Sequence, residues 1–347
     1  MPQIAPAMDA KKLTQKNKIE MKKNIALLAG GYSGEYEISI KSSIQIAEDL
    51  NKDKYNVYRI ILTRNSWYYE QGNERIEVDK NDFSLTLKGE KIRFDAAYIT
   101  IHGTPGEDGL LQGYLDMLNV PYTTCSALVS ALTFDKSVCN AVVRSFKEVN
   151  VARNVLTCSN NPLTESEILA NVSLPVFVKP SAGGSSIGMS KVSESQDLMP
   201  AIEKAFGVWN KVLIEEFIEG REFSCGVMTI ENKVTALPVT EIVSMTEFFD
   251  YDAKYNGKSK ELTPAPISTD LSKRIQHLTE YIYTNLHCSG VCRVDFIYNE
   301  KQDKLFFLEI NTTPGQSAQS IVPQQVRVMG KDTKWLYNTI LEQIDLK

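Results

Sequence analysis

The stretch Phe306-Phe307-Leu308-Glu309-Ile310-Asn311 is apolar except for one acid and one amide two positions apart. Side chains of a β-strand alternate between its faces, so this spacing predicts a strand with Leu308 and Ile310 packed inward and Glu309 and Asn311 on the opposite face. Upstream, Arg293-Val294-Asp295-Phe296 repeats the arrangement, with Arg293 and Asp295 pointing the same way from an apolar run. If the two strands are neighbours, two carboxylates and an amide oxygen converge beside a guanidinium. Carboxylates gathered on a sheet face repel one another unless a cation joins them, and an all-oxygen donor set selects a hard ion such as Mg²⁺. Acids on an exposed edge strand have the same alternation, so the rest of the chain must decide between the two.

Working backwards, Pro175-Val176-Phe177-Val178-Lys179 reads as a strand that runs into Pro180-Ser181-Ala182-Gly183-Gly184-Ser185-Ser186-Ile187-Gly188. Such a loop lets backbone N–H groups approach an anion and suits a phosphate lid. Its lysine precedes the glycines and no Gly-Lys-Ser/Thr closes it, so it is not a Walker A loop. Between lid and metal face, Val212-Leu213-Ile214-Glu215-Glu216-Phe217-Ile218 is an apolar run with two acids, leading to Glu219-Gly220-Arg221-Glu222-Phe223. An extended segment of this kind offers backbone groups to an adenine edge, with Glu222 placed for ribose hydroxyls.

Nearer the start, Ile25-Ala26-Leu27-Leu28-Ala29 followed by Gly30-Gly31-Tyr32-Ser33-Gly34 has the pattern of a buried parallel strand, a tight turn and a helix over about 37–50. Further strands are expected at 57–62 and 96–100, the latter ending in His102-Gly103-Thr104-Pro105-Gly106-Glu107-Asp108-Gly109. The organisation expected is a dispensable extension over residues 1–20, an N-terminal α/β domain over 21–120, a central unit carrying the lid over 121–214, and a C-terminal unit over 215–347. Strands at 223–230, 291–298 and 305–311 and a helix at 271–286 belong to the last. Its stretch 243–266 has no clear period, and long loops in compact domains are commonly lids.

At 347 residues the chain can bury more than one core, and 43% hydrophobic with 23% charged residues is ordinary for a globular protein. A net charge of −5 gives no footprint for a nucleic-acid partner. No apolar run approaches the roughly 18 residues of a membrane helix, and the first 20 residues hold no signal-like core, so no membrane association and a cytoplasmic location are expected. The six cysteines read as small buried thiols; only Cys288 and Cys292 lie close, as a C-x3-C without the second half of a zinc motif.

In order, these segments resemble the ATP-grasp superfamily, and within it the D-alanine–D-alanine ligases, from about residue 24 to the end. The resemblance rests on the 30–39 and 102–109 stretches, Asp135-Lys136, the loop after Lys179, Phe249-Asp250-Tyr251-Asp252-Ala253-Lys254-Tyr255, Glu309-Ile310-Asn311-Thr312-Thr313-Pro314-Gly315 and Ser320-Ile321-Val322-Pro323. It implies an α/β (α+β) chain, an ATP-grasp fold preceded by a Rossmann-like N-terminal domain. It also implies phosphorylation of one D-alanine carboxylate by ATP and attack by the amine of a second. Two Mg²⁺ ions, or Mn²⁺ in their place, are implied on Asp295, Glu309 and Asn311. Lys136, Lys179 and Lys254 match phosphate-binding lysines; Ser186, Glu215, Glu216, Phe217, Ile218 and Glu222 fall in the ATP site by the same match. Arg293 and the Gly315 N–H match the donors to the tetrahedral intermediate.

Glu35 aligns with the acid that holds the first substrate's ammonium, with Ser185 and Tyr255 as its partners. Ser320 and Ile321 align with residues at the second substrate, and His102 with a histidine near the first. A homodimer is implied by resemblance alone. The stretch 243–266 contains no histidine, which with Tyr255 favours a dipeptide over a D-alanyl-D-lactate product. A D-alanyl-D-lactate or D-alanyl-D-serine ligase, another carboxylate–amine ligase of the same fold, and a non-catalytic nucleotide-binding relative are the alternatives. Removal of Met1 to Glu20 is expected to leave turnover unchanged, and a large loss in the truncated protein would contradict the reading of that segment as an extension.

Overall fold

The computed structural model describes residues 21–72, 74–184, 187–244 and 259–344. Lys23–Gly30 is a strand buried from Ile25 onward, the continuous pattern of a strand covered on both faces. It pairs in parallel with Tyr55–Leu62 on one side and Ala96–Ile99 on the other, and the helix Tyr36–Asp49 forms the first crossover. Two short antiparallel strands, Trp67–Gln71 and Glu74–Glu77, extend this sheet to five, and a separate hairpin pairs Ser84–Leu87 with Glu90–Arg93. None of these four is legible from periodicity, because segments such as Glu74-Arg75-Ile76-Glu77 contain a single apolar residue.

A second sheet is antiparallel, in the order Ser190–Val192, Val176–Pro180, Lys211–Glu216, Asn154–Cys158. It has a core of its own, including Val176, Val178, Ile202 and Ile214. The largest sheet runs Ser259–Leu262, Thr240–Ser244, Arg221–Ile230, Cys292–Asn299, Lys304–Asn311, Asn150–Val151, with Lys233–Ala236 hung on Arg221–Ile230. Its core contains Phe223, Val294, Phe296 and Ile310, and also Val129, Cys139 and Val143. The helices Ala127–Phe134 and Lys136–Val143, expected in the 121–214 unit, therefore share a core with the third sheet.

The chain ends back against the first sheet. Helices Ile321–Val328 and Thr333–Glu342 contribute Val322, Val326, Leu336 and Ile340 to the cluster that holds Ile25, Leu27 and Ile46. A polar link crosses this contact: Tyr98 Oη donates to Gln316 Oε1 at 2.6 Å, and the Gln316 carbonyl accepts from Tyr337 Oη. Both tyrosines are fully buried, so the link fixes where the segment after Asn311 sits relative to the first sheet. No helix among the described residues is long and apolar enough to cross a membrane.

Tyr98→Phe leaves the buried Gln316 oxygen without this donor. The expected cost is about 1–3 kcal/mol in urea unfolding, with no change in substrate affinity beyond that of the remaining folded protein.

Candidate active site

Antiparallel pairing sets Asp295 opposite Glu309 and Arg293 opposite Asn311, which brings together the two segments read from the sequence. On the other flank Ser224 lies opposite Asp295 and donates to its Oδ1 at 2.5 Å. Arg293 grips the same carboxylate through Nε at 3.0 Å and Nη2 at 2.8 Å. Burial works against the guanidinium charge, but the adjoining Asp295 carboxylate holds Arg293 well above the usual arginine range.

The register shifts at this point. Asp295 pairs with Glu309 but Phe296 with Phe307, so Leu308 has no partner and forms a β-bulge. Leu308 is therefore not on the packed face, as strict alternation predicts. Phe307 and Ile310 enter the core, while Leu308 lines the cleft beside Glu309. The bulge lets an apolar surface, Phe306 and Leu308, run directly into the oxygen-rich Glu309 and Asn311.

Glu309 meets Lys136, whose Nζ lies 3.2 Å from its Oε2 and also donates to the Gly183 carbonyl at 3.1 Å. Burial lowers the lysine's affinity for its proton, yet Glu309 more than offsets this and raises Lys136 above the ordinary lysine value. Lys136 is delivered by the cap of its helix. Asp135 accepts from the Ser137 and Val138 N–H groups, and the Lys136 N–H donates to the Ser181 carbonyl at 2.7 Å. The segment after strand Val176–Pro180 and the start of helix Lys136–Val143 are thus tied to one another.

In Val176–Pro180 the alternation sends Phe177 and Lys179 toward the cleft. Lys179 pairs with Glu215, which also accepts from Asn140 Nδ2 at 2.6 Å. Glu215 is accordingly a holder of Lys179. Next along, the Glu216 N–H donates to the Arg153 carbonyl and the Phe217 N–H to the Pro175 carbonyl. Of the backbone groups expected at an adenine edge, these two N–H groups are committed to the fold, and Ile218 stands at the cleft wall. The Phe217 ring stacks edge-on to Phe177 at 5.7 Å and lies under the Lys191 ammonium at 4.4 Å.

From the first sheet come Glu35, His102 and Glu107. Glu35 occupies the cap position of helix Tyr36–Asp49 without making a capping bond through its side chain. Gly184 of the glycine-rich loop lies against it so closely that a Cβ there would sit 3.1 Å from Glu35 Oε2. His102 Nδ1 is 2.8 Å from the Thr313 carbonyl oxygen. Gly315 abuts Ser320, which occupies the cap position of helix Ile321–Val328 without a side-chain capping bond and shares a 2.9 Å hydrogen bond with Ser317 Oγ.

One cleft of about 1420 Å³ is lined by Glu35, His102, Lys136, Lys179, Glu215, Glu216, Phe217, Ile218, Glu222, Arg293, Asp295, Glu309 and Asn311. That exceeds the roughly 300–1,000 Å³ of a pocket for one small ligand. Gly315, Ser320 and Ile321 are not in its wall. Ser185, Ser186, Lys254 and Tyr255 lie outside the described residues.

Residues 24–125 match the family described as D-ala D-ala ligase N-terminus, and residues 142–342 the D-ala D-ala ligase C-terminus. A D-alanine–D-alanine ligase of Parabacteroides distasonis is 49% identical over 93% of this chain and 97% of its own length. Among solved structures, the VanG D-Ala:D-Ser ligase from Enterococcus faecalis superposes with a TM-score of 0.84 at 33% identity, over 93% of this chain and 99% of that one. The D-alanyl-alanine synthetase A of Vibrio cholerae gives 0.81 at 26% identity, over 92% and 99%.

Sequence reasoning missed Glu107, Asn140 and Ser224 as parts of the site. Glu107 accepts from the Gly103 N–H at 2.8 Å and the Thr313 N–H at 3.3 Å, next to Asn311. Burial pushes its carboxyl up to about 7, against those hydrogen bonds and with help from Glu35 and Glu309. An acid with a raised pKa in the folded state binds its proton more tightly there than in the unfolded chain. Its stabilising effect is full below the unfolded value near 4.5 and is lost as pH rises to about 7. Ligand-free Glu107→Gln should show a flatter urea-stability profile over that window than the parent; an unchanged slope would place the titration elsewhere.

Proposed function

Because the chain belongs to the D-alanine–D-alanine ligase family, and is by that membership an ATP-dependent ligase, we propose that this cleft joins two D-alanine molecules into D-alanyl-D-alanine for the bacterial cell wall. The observation that carries the assignment to these residues is the in-register pair Asp295 and Glu309, bracketed by Arg293 and Lys136 in one cleft with Glu35.

In this reading the γ-phosphoryl group of ATP passes to the carboxylate of the first D-alanine, giving an acyl phosphate and ADP. The amine of the second D-alanine attacks the acyl carbon, and phosphate leaves. Lys136 and Lys179 neutralise phosphate oxygens, helped by Lys254 and by Ser186 from the lid. Phe177, Ile218, Phe306 and Leu308 offer apolar surface to the adenine, and Glu222 faces the ribose hydroxyls. Glu35, with Ser185 and Tyr255, holds the ammonium of the first substrate, with His102 nearby. Arg293 and the Gly315 N–H stabilise the oxyanion that forms on the attacked carbonyl. Ser320 and Ile321 receive the second substrate.

Asp295, Glu309 and Asn311 fit a pair of Mg²⁺ or Mn²⁺ ions by donor chemistry. All are oxygen donors, and two carboxylates directly opposite one another across a sheet call for positive charge. When bound, the ions supply charge neutralisation on the transferring phosphoryl group. A cytoplasmic homodimer completes the proposal, the location supported by the need for ATP and the dimer by resemblance to the family.

A D-serine acceptor is the second reading, favoured by the likeness to the D-Ala:D-Ser ligase. With ATP and Mg²⁺, phosphate release should require D-alanine, and a panel of D-alanine, D-serine and D-lactate as second substrates should be turned over best with D-alanine. Release that ignored D-alanine would overturn the reaction, and preference for D-serine would overturn the acceptor. Glu309→Gln should lower kcat by about 100-fold or more, since even neighbours of metal ligands cost about 10–100-fold when changed.

A further inference from the structure

Outside the cleft, the fold gathers three of the six cysteines. The Sγ atoms of Cys125, Cys288 and Cys292 all lie within 4.8 Å of one another, and those of Cys125 and Cys292 are 3.6 Å apart. Cys125 and Cys292 are fully buried and Cys288 is half-buried. The sequence shows only the C-x3-C pair. The third thiol comes from the far side of the chain, where residues 122–123 leave the edge of the first sheet and helix Ala127–Phe134 is about to begin.

The turn between the paired cysteines is built around this third one. The Ser289 N–H points at Cys125 Sγ at 3.4 Å, and Ser289 Oγ donates to the Thr124 carbonyl at 3.0 Å. Gly290 has φ +68° and passes so close to Thr123 that a Cβ would come within 2.0 Å of its carbonyl oxygen. Tyr283 Oη fastens the Gly290 carbonyl at 2.9 Å. The Ser289 N–H favours a thiolate on Cys125, while the Ser289 carbonyl, 3.3 Å away, accepts from its protonated form. Hydrogen bonds from the Cys288 and Cys292 thiols hold Cys125 below the ordinary thiol range despite its burial, while the same bonds and burial hold those two thiols above it, so the metal-free cluster keeps its protons on Cys288 and Cys292.

We propose that Cys125, Cys288 and Cys292 form a binding site for a thiophilic divalent metal ion of the zinc class, with three thiolate ligands and a fourth position for an exogenous ligand. Tetrahedral Zn–S bonds of about 2.3 Å place sulfurs about 3.8 Å apart. The three Sγ atoms therefore need shifts of at most about 1 Å, within the reach of side-chain rotation. Binding exchanges protons for the ion, one each from Cys288 and Cys292: the metal dication, the Cys125 thiolate and two thiols give a tris-thiolate complex carrying one negative charge, with release of two protons. The ion would clamp the entry to helix Ala127–Phe134 against the start of Cys292–Asn299, the strand that carries Arg293 and Asp295.

The test uses the full chain, reduced and stripped of metal, titrated with Co²⁺ and then Zn²⁺. One equivalent of Co²⁺ should give a thiolate-to-cobalt charge-transfer band in the near ultraviolet that Zn²⁺ abolishes. Zn²⁺, but not Mg²⁺, should protect Cys125, Cys288 and Cys292 from alkylation as mapped by mass spectrometry. Cys288→Ser, the least buried substitution, should weaken Zn²⁺ about 100-fold or more while leaving Mg²⁺-supported turnover intact. Absence of the charge-transfer band in the parent protein overturns the proposal, as does equal alkylation of the three cysteines with and without Zn²⁺. Both of those readings are made on the unmutated chain, so a variant that misfolds cannot decide the matter.

Discussion

Two carboxylates, Asp295 and Glu309, face one another across adjacent antiparallel strands, and most of the polar architecture around the cleft answers that juxtaposition. Like charges directly opposite destabilise a sheet, and here the site is also partly withdrawn from water. Arg293 neutralises Asp295 from the same strand, with side chains only 12% and 9% exposed. Lys136 neutralises Glu309 from a helix start fixed by Asp135 and Ser181. Loss of the guanidinium would leave a buried carboxylate uncompensated, a change worth about 3–5 kcal/mol in comparable buried pairs. Supplying that second positive charge fixes where helix Lys136–Val143 begins, and with it the segment after strand Val176–Pro180 that is tied to it.

The juxtaposition of the two acids was legible because it is a local, period-2 pattern: Glu309 with Asn311 and Arg293 with Asp295 needed only that their strands be neighbours. The same rule misplaced Leu308, because a bulge inserts one residue without leaving a compositional trace. Glu107 lay inside a motif already singled out, but its partner Thr313 is 206 residues away, and such a contact has no sequence signature. Cys125 escaped for the same reason, since its partners are also distant in the chain. The expected grouping of 121–214 followed chain order, whereas the helices at 127–143 pack by their apolar faces against the third sheet. Ser185 and Tyr255, which carry the resemblance to a dipeptide-forming enzyme, fall where the described residues offer no comparison.

The Thr313 peptide joins the proposed substrate side of the cleft to the proposed metal side. Its N–H is shared between Asn311 Oδ1 at 3.1 Å and Glu107 Oε1 at 3.3 Å, and its carbonyl meets His102. One peptide unit thus locks the end of strand Lys304–Asn311 to the loop that follows Ala96–Ile99. The Tyr98, Gln316 and Tyr337 link repeats the attachment a few residues on. The first and third sheets are therefore poorly suited to moving apart around this point.

The second sheet is attached differently, and this bears on how ligands enter. At the cleft its polar ties to the neighbouring helix include Lys136 to the Gly183 carbonyl and Asn140 to Glu215, the acid that also holds Lys179 within the sheet. Both lysines are proposed ligands of phosphate, and one is held meanwhile by an acid proposed to bind metal. Without ligands the cations and anions of the cleft satisfy each other, which keeps buried charge from being stranded. Lys136 can leave Glu309 at small cost only if an anion reaches the lysine as a cation reaches the acid. Nucleotide and metal meet that requirement jointly, and neither does alone. Cooperative binding of the two then follows from charge balance in the cleft, without any conformational change.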